Sequence, residues 1–249
     1  MVAPAMKRDV RVQGARYLRE PNAVYFPSEE TVPESKRHLM MRTALFQLLT
    51  LELGGRFAIG SDQFVYWNAR DPGRRLAPDV FVATSHRDFV FDSWKTWEHG
   101  APNLAVEITS PSDAPPEPWA RKLERYQEAG VQELVRFHPD APEGERLRVW
   151  DRIDGDLVER AVEGDRALCN ALSLTWVVRP SPELGPMLRL ARDQQGAALL
   201  PTLEEARAEE ERRRAEEERR RAEEERRRVG AEQRVSELEA ELRKVRGDR

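Results

Sequence analysis

Leu104-Ala105-Val106-Glu107-Ile108-Thr109 is an apolar, β-rich run with a single carboxylate set into its interior. Side chains alternate between the two faces of a strand, so Glu107 shares a face with Ala105 and Thr109 while Val106 and Ile108 point the other way. An ionised carboxylate on an otherwise apolar strand is costly to bury unless it meets a cation. Upstream, Ala77-Pro78-Asp79-Val80 opens a second strand-like segment with an acidic residue behind a proline. Downstream, Lys122 lies near the start of an amphipathic stretch, residues 119–130, that reads as a helix with Leu123, Tyr126 and Ala129 on one face and Gly130 as its stop.

Outward from this centre the pattern is that of a mixed α/β domain. Residues 34–53 carry apolar side chains at helical spacing, and Gly54-Gly55 ends the run. Residues 57–59, 64–67, 77–83, 104–109 and 131–137 are rich in β-branched and aromatic residues and predict strands. Residues 146–150 and 157–162 flank Asp154-Gly155, a hairpin turn signal. Residues 172–178 predict one more strand, and Pro180, Pro182 and Pro186 mark an exit from the compact domain, which ends near residue 200. The expected organisation is an N-terminal arm over 1–33, the domain over 34–200 and a tail over 201–249.

Ala208 to Arg228 is three copies of Ala-Glu-Glu-Glu-Arg-Arg-Arg. Glu209 with Arg213 and Glu210 with Arg214 have the spacing of stabilising helical ion pairs. One alanine per repeat is too little for a coiled-coil seam, so the tail predicts a solvated single helix. Val235, Leu238, Leu242 and Val245 follow coiled-coil spacing at its tip, a short zipper that offers a homodimer contact beside one through the domain itself.

Of the 249 residues, 35% are charged, yet the net charge is only -4, which argues against coating nucleic acid through bulk positive charge and leaves room for a local basic groove. Cys169 is the sole cysteine, and the four histidines lack ligand spacing, so neither a disulfide framework nor a cysteine-based zinc site is open. The first 20 residues lack the apolar core of a signal peptide, and no apolar run approaches the roughly 18 residues of a membrane span. A cytoplasmic protein is expected.

Two carboxylates on separate strands and a nearby lysine are the minimal equipment for cutting a phosphodiester bond with a bound divalent cation. Magnesium held by hard oxygens supplies an activated water, neutralises phosphate charge and stabilises the leaving oxygen. Asp79 and Glu107 are placed to converge on one such ion, with the Ile108 backbone carbonyl as a third oxygen. Manganese is the expected substitute.

The arrangement resembles the PD-(D/E)XK nuclease superfamily, in particular the Uma2 family of restriction-endonuclease-like proteins, also called DUF820. The resemblance covers roughly residues 25–180. It rests on Ala77-Pro78-Asp79-Val80, on Val106-Glu107-Ile108-Thr109-Ser110-Pro111-Ser112, on Lys122-Leu123 with Tyr126, and on Gly130-Val131 with Glu133. The superfamily's lysine normally lies two residues after the glutamate, where this chain has Thr109. In Uma2-like proteins it has moved to the following helix, and Lys122 occupies the matching place. The resemblance implies a restriction-endonuclease-like core in which Asp79 and Glu107 hold magnesium while Lys122 orients the water and stabilises phosphate charge. It also implies DNA as partner. Family members often carry an acidic residue one turn before that lysine, where this chain has Pro118, with Glu117 and Asp113 nearby.

Secondary candidates are Glu34 and His38, helical neighbours at the edge of such a site, and Gln63. Simpler readings compete: a turn for Asp79, a structural salt bridge for Glu107, an ordinary charged helix face for Lys122. Trp94 and Trp97 beside Lys95 suit stacking on unpaired bases, although core packing explains tryptophans more often. Three function classes follow. The first is a magnesium-dependent endonuclease acting on DNA. The second is a catalytically silent module that binds nucleic acid or protein and uses the tail as an assembly helix. In the third, the tail is the working part and the domain only a cap.

Overall fold

Ser35 accepts a hydrogen bond from the His38 amide at 3.1 Å and so caps α1, Lys36–Leu53. Met41, Leu45, Leu48, Leu49 and Leu53 form its buried stripe. The computed structural model describes residues 34–109 and 118–247, with side chains to residue 240. Short strands follow: β1 (Ala58–Gly60), β2 (Val65–Tyr66), β3 (Arg75–Leu76), β4 (Val80–Ala83) and β5 (Trp94–Lys95). After the single turn α2 (Thr96–His99) come β6 (Leu104–Ile108), α3 (Trp119–Ala129), β7 (Glu133–Phe137), β8 (Leu147–Ile153) and β9 (Asp156–Arg160). The domain closes with β10 (Arg166–Cys169), β11 (Leu174–Ser181) and β12 (Gly185–Ala191).

The central sheet is mixed, in the order β1-β4-β6-β7-β8-β9, with β6 and β7 parallel and the other pairs antiparallel. Parallel neighbours need a long crossover, and α3 lies within it. Strand alternation gives the sheet two apolar faces. Val80, Val82, Val106, Ile108, Val135 and Val149 pack with α1 and with the antiparallel β10-β11-β12 sheet. Phe81, Ala105, Leu134 and Trp150 pack with Tyr126 and Ala129 of α3 and with the small β3-β2-β5 sheet. Each fully buried aliphatic side chain contributes about 1.5–3 kcal/mol, so two such faces hold the sheet between its covering layers.

Gly130 ends α3 at φ 83°, with its amide bonded to Gln127 and the Val131 amide to Tyr126. This paired closure needs a left-handed residue, which glycine adopts without penalty. The Asp154-Gly155 turn has φ 50° and 100°, the positive pair that joins β8 to β9.

Several expectations need correction. Pro180 and Pro186 do not mark an exit: they face each other in the β11–β12 hairpin. Pairing with β10 stops at Val177, so Pro180 has only one strand neighbour and its missing donor costs no second ladder. β10 and β12 went unread because neither has a sustained alternation of its own. Trp94 takes the commoner of its two readings: it is fully buried, donates to the Gly100 carbonyl at 2.9 Å and packs on Phe81, Phe91 and His99 in the core. Trp97 is 40% exposed.

The chain divides after Leu200 into two compact units. The second contains α4, Leu203–Gly247. Thr202 and Glu205 form a reciprocal capping box, at 3.1 and 2.8 Å, that starts it. Its described side chains past the first turn are almost all exposed. Glu210 pairs with Arg214 at 2.5 Å as spaced, but Glu209 pairs with Arg212 rather than Arg213. Both i+3 and i+4 are neighbours on a helix, and three consecutive arginines leave that choice to rotamers.

Candidate active site

The register of β4 with β6 builds the site. Val80 faces Val106, and one step further the same register sets Asp79, just before β4, opposite Glu107. Both are buried, at 8% and 3% exposure. Like charges directly opposed across strands repel, so each carboxylate needs its own compensation.

Asp79 receives it from two elements. Its Oδ1 lies 2.6 Å from Nε2 of His38 in the first turn of α1, and its Oδ2 accepts the Ile108 amide at 2.6 Å. The carboxylate thereby fastens the end of β4 to β6. Ser61 donates to the Asp79 carbonyl at 2.8 Å, and Gln63 in turn accepts the Ser61 amide at 2.7 Å. Glu34 lies 3.8 Å from His38 and is gripped by both Nε and Nη2 of Arg42. Arg42 also stands 3.5 Å from Asp62.

Glu107 is compensated from α3. Lys122 donates to its Oε2 and Tyr126 to its Oε1. Burial raises the Glu107 pKa, Lys122 opposes the rise, and Asp79 adds to it. Tyr126 is pushed well above the usual phenol range by burial and by the Glu107 charge, so it stays a donor. The Lys122 side chain is 30% exposed. Pro118 does not impede the helix start, because its carbonyl accepts the Arg121 and Lys122 amides at 2.9 and 3.2 Å.

Of the sequence-derived candidates, Asp79, Glu107, Lys122 and His38 meet at one place, with Glu34 behind His38 and Gln63 behind Ser61. Ile108 meets Asp79 through its amide. Thr109 turns elsewhere: its hydroxyl donates to the Phe137 carbonyl at 3.3 Å. Asp113 and Glu117 lie outside the described residues. Tyr126 is the contact missed as a site residue. Its spacing of four from Lys122 puts both on one helix face, and a buried tyrosine hydroxyl needs a partner.

The donor set suits a hard cation. Among the described residues there is no group of three or more His, Cys, Asp or Glu side chains placed to hold a metal. Magnesium, however, is commonly held by one or two carboxylates plus waters and substrate phosphate. Two opposed buried carboxylates, one with its pKa raised by burial and further by the other, match that requirement.

The family model named Uma2, described as "Putative restriction endonuclease", matches residues 23–181. No curated protein matches the chain. A crystal structure titled as a putative nuclease belonging to DUF820, from Anabaena variabilis, superposes with a TM-score of 0.38 at 12% identity, covering 63% of this chain and 78% of that one.

Proposed function

The chain belongs to the Uma2 family, and we propose that it is a metal-dependent endonuclease that hydrolyses phosphodiester bonds in DNA. Asp79 and Glu107 hold magnesium, with the Ile108 carbonyl as a further oxygen, and Lys122 assists the attacking water. The observation that carries this reading is the cross-strand opposition of Asp79 and Glu107 with the Lys122 ammonium at the same carboxylate.

When bound, the ion supplies an activated water and neutralises charge on the phosphate. The chain's own groups orient its ligands. His38 and the Ile108 amide fix the Asp79 carboxylate, and Tyr126 fixes Glu107. Such supporting hydrogen bonds set ligand direction and basicity. Lys122, on a helix rather than two residues along the strand, reaches the carboxylate with a partly exposed side chain and so can also face a substrate phosphate.

One observation favours a second reading, a silent module that binds nucleic acid or protein. Each of the four carboxylate oxygens already has a protein partner: His38, the Ile108 amide, Lys122 and Tyr126. A site so satisfied is also a stable structural network. Plasmid and single-stranded DNA incubated with magnesium or manganese, beside Glu107→Ala and a chelator control, decide between them. Cleavage lost in both controls supports the nuclease. A folded protein that is inactive under every condition overturns it in favour of the binding module.

A further inference from the structure

The carboxylate row does not stop at Glu107. In the sheet register Glu107 faces Arg136 on β7, and Arg136 faces Arg148 on β8. Asp79, Glu107, Arg136 and Arg148 thus occupy one row across four neighbouring strands, on the face that α3 covers. Strands are spaced by about 4.8 Å, so the backbone positions of two arginines follow those of two carboxylate residues in steps of about that size.

Arg136 is placed as a binding group rather than as a salt-bridge partner. Its guanidinium lies 4.6 Å above the Trp119 ring, which packs against Trp150 at 5.2 Å, so the side chain is held from beneath. Its Nε is buried and has no hydrogen-bond partner among the described residues. The adjacent Glu107 takes its hydrogen bonds from Lys122 and Tyr126 instead. Arg148 is half exposed, and among the described residues its one ion pair is with Glu159 at 3.6 Å. Burial, and then repulsion from Arg148, lower the Arg136 pKa against the opposing pull of Glu107 and Glu159.

We propose that Arg136 and Arg148 form a phosphate-binding step that seats the sugar-phosphate backbone of a nucleic-acid strand next to the Asp79–Glu107 pair. The planar fork of arginine matches phosphate oxygens in a bidentate manner, and stacking on Trp119 pre-organises it. The proposal rests on the nuclease reading only for the position of the scissile bond. Strand binding itself requires neither metal nor cleavage.

The test is fluorescence polarisation of a fluorescein-labelled single-stranded oligodeoxynucleotide with the full chain in EDTA, across a salt series. Arg136→Ala, Arg136→Lys and Arg148→Ala are compared with the parent, and melting curves check folding. Loss of one charge-assisted contact weakens binding by about tenfold or more. It also lowers the slope of log K against log salt by about 0.7 for a single strand. Arg136→Lys retains the slope and loses part of the affinity. Unchanged affinity in both alanine variants, weakened affinity with an unchanged slope, or no binding by the parent at any salt overturns the proposal. Binding through the arginines without cleavage under any metal refutes the nuclease and leaves this site standing. Cleavage with binding unaffected by the arginines does the reverse.

Discussion

Tyr126→Phe isolates what holds Glu107 in the buried site. The substitution removes one oxygen from a fully buried ring and nothing else, so the packing loss is small. What is lost is a hydroxyl hydrogen bond to a carboxylate that is 3% exposed. A hydrogen bond to a charged group contributes about 1.5–3 kcal/mol. For a unit of this size that lowers the melting temperature by roughly 4–10 °C. The pH dependence sharpens the test. Glu107 already has a pKa raised above 4.5, mainly by burial, and Tyr126 is one of the groups opposing the rise. A carboxyl raised in the folded state keeps its stability contribution below the unfolded pKa and loses it as pH climbs through the folded value. Removing the tyrosine donor raises Glu107 further, so the stability gap between parent and variant is level just above 4.5, widens as pH climbs from the parent's folded value to the variant's higher one, and levels off beyond it. Thermal unfolding in EDTA at a series of pH values measures it. A gap that is constant with pH, or that narrows, refutes the assignment of Tyr126 to the ionised Glu107.

Glu133→Ala should lower stability by about 2–3 kcal/mol, because Glu133 is 2% exposed and its loss removes one acceptor of Arg160, at 3.1 Å, and the acceptor of the Ala171 amide, at 2.7 Å. A shifted urea midpoint with an unchanged slope checks it. Gly130→Ala should cost about 1–2 kcal/mol, since the position holds φ 83° and an added Cβ meets that of Ala101 at 3.1 Å. A neutral outcome in thermal melts would show that the helix end relaxes. In a peptide of residues 201–249, helicity by circular dichroism should fall in 1 M salt, where the screening length is about 3 Å, because its described ion pairs, such as Glu223 with Arg227 at 2.5 Å, are exposed. Helicity that instead rises with peptide concentration would point to association through Val235 and Leu238.

Much of the site was legible in the order of residues. Glu107 inside an apolar strand and Asp79 behind Pro78 stand out because a lone charge in an apolar segment demands a reason. The α1 and α3 helices, the Asp154-Gly155 turn and the charged tail were readable for a similar cause: their signals are local, carried by spacing, caps and turn residues. What escaped is non-local. Pro180 and Pro186 read as an exit because proline disfavours strands in general, whereas the fold gives them the one-sided end of a hairpin. Trp94 beside Lys95 left two readings open, and the aromatic cluster that encloses it chose the core. Tyr126 carried no site role, and Arg136 no mark at all. Helix and strand periods are local properties, so the order of residues settles most of the elements and the faces they bury, though not the strands β3, β5, β10 and β12. That Asp79 opposes Glu107, that Tyr126 and Lys122 satisfy the Glu107 oxygens, and that Arg136 and Arg148 extend the same row emerges only in the folded chain. Those relations depend on strand register and crossover packing between residues far apart in the chain, which no local period encodes.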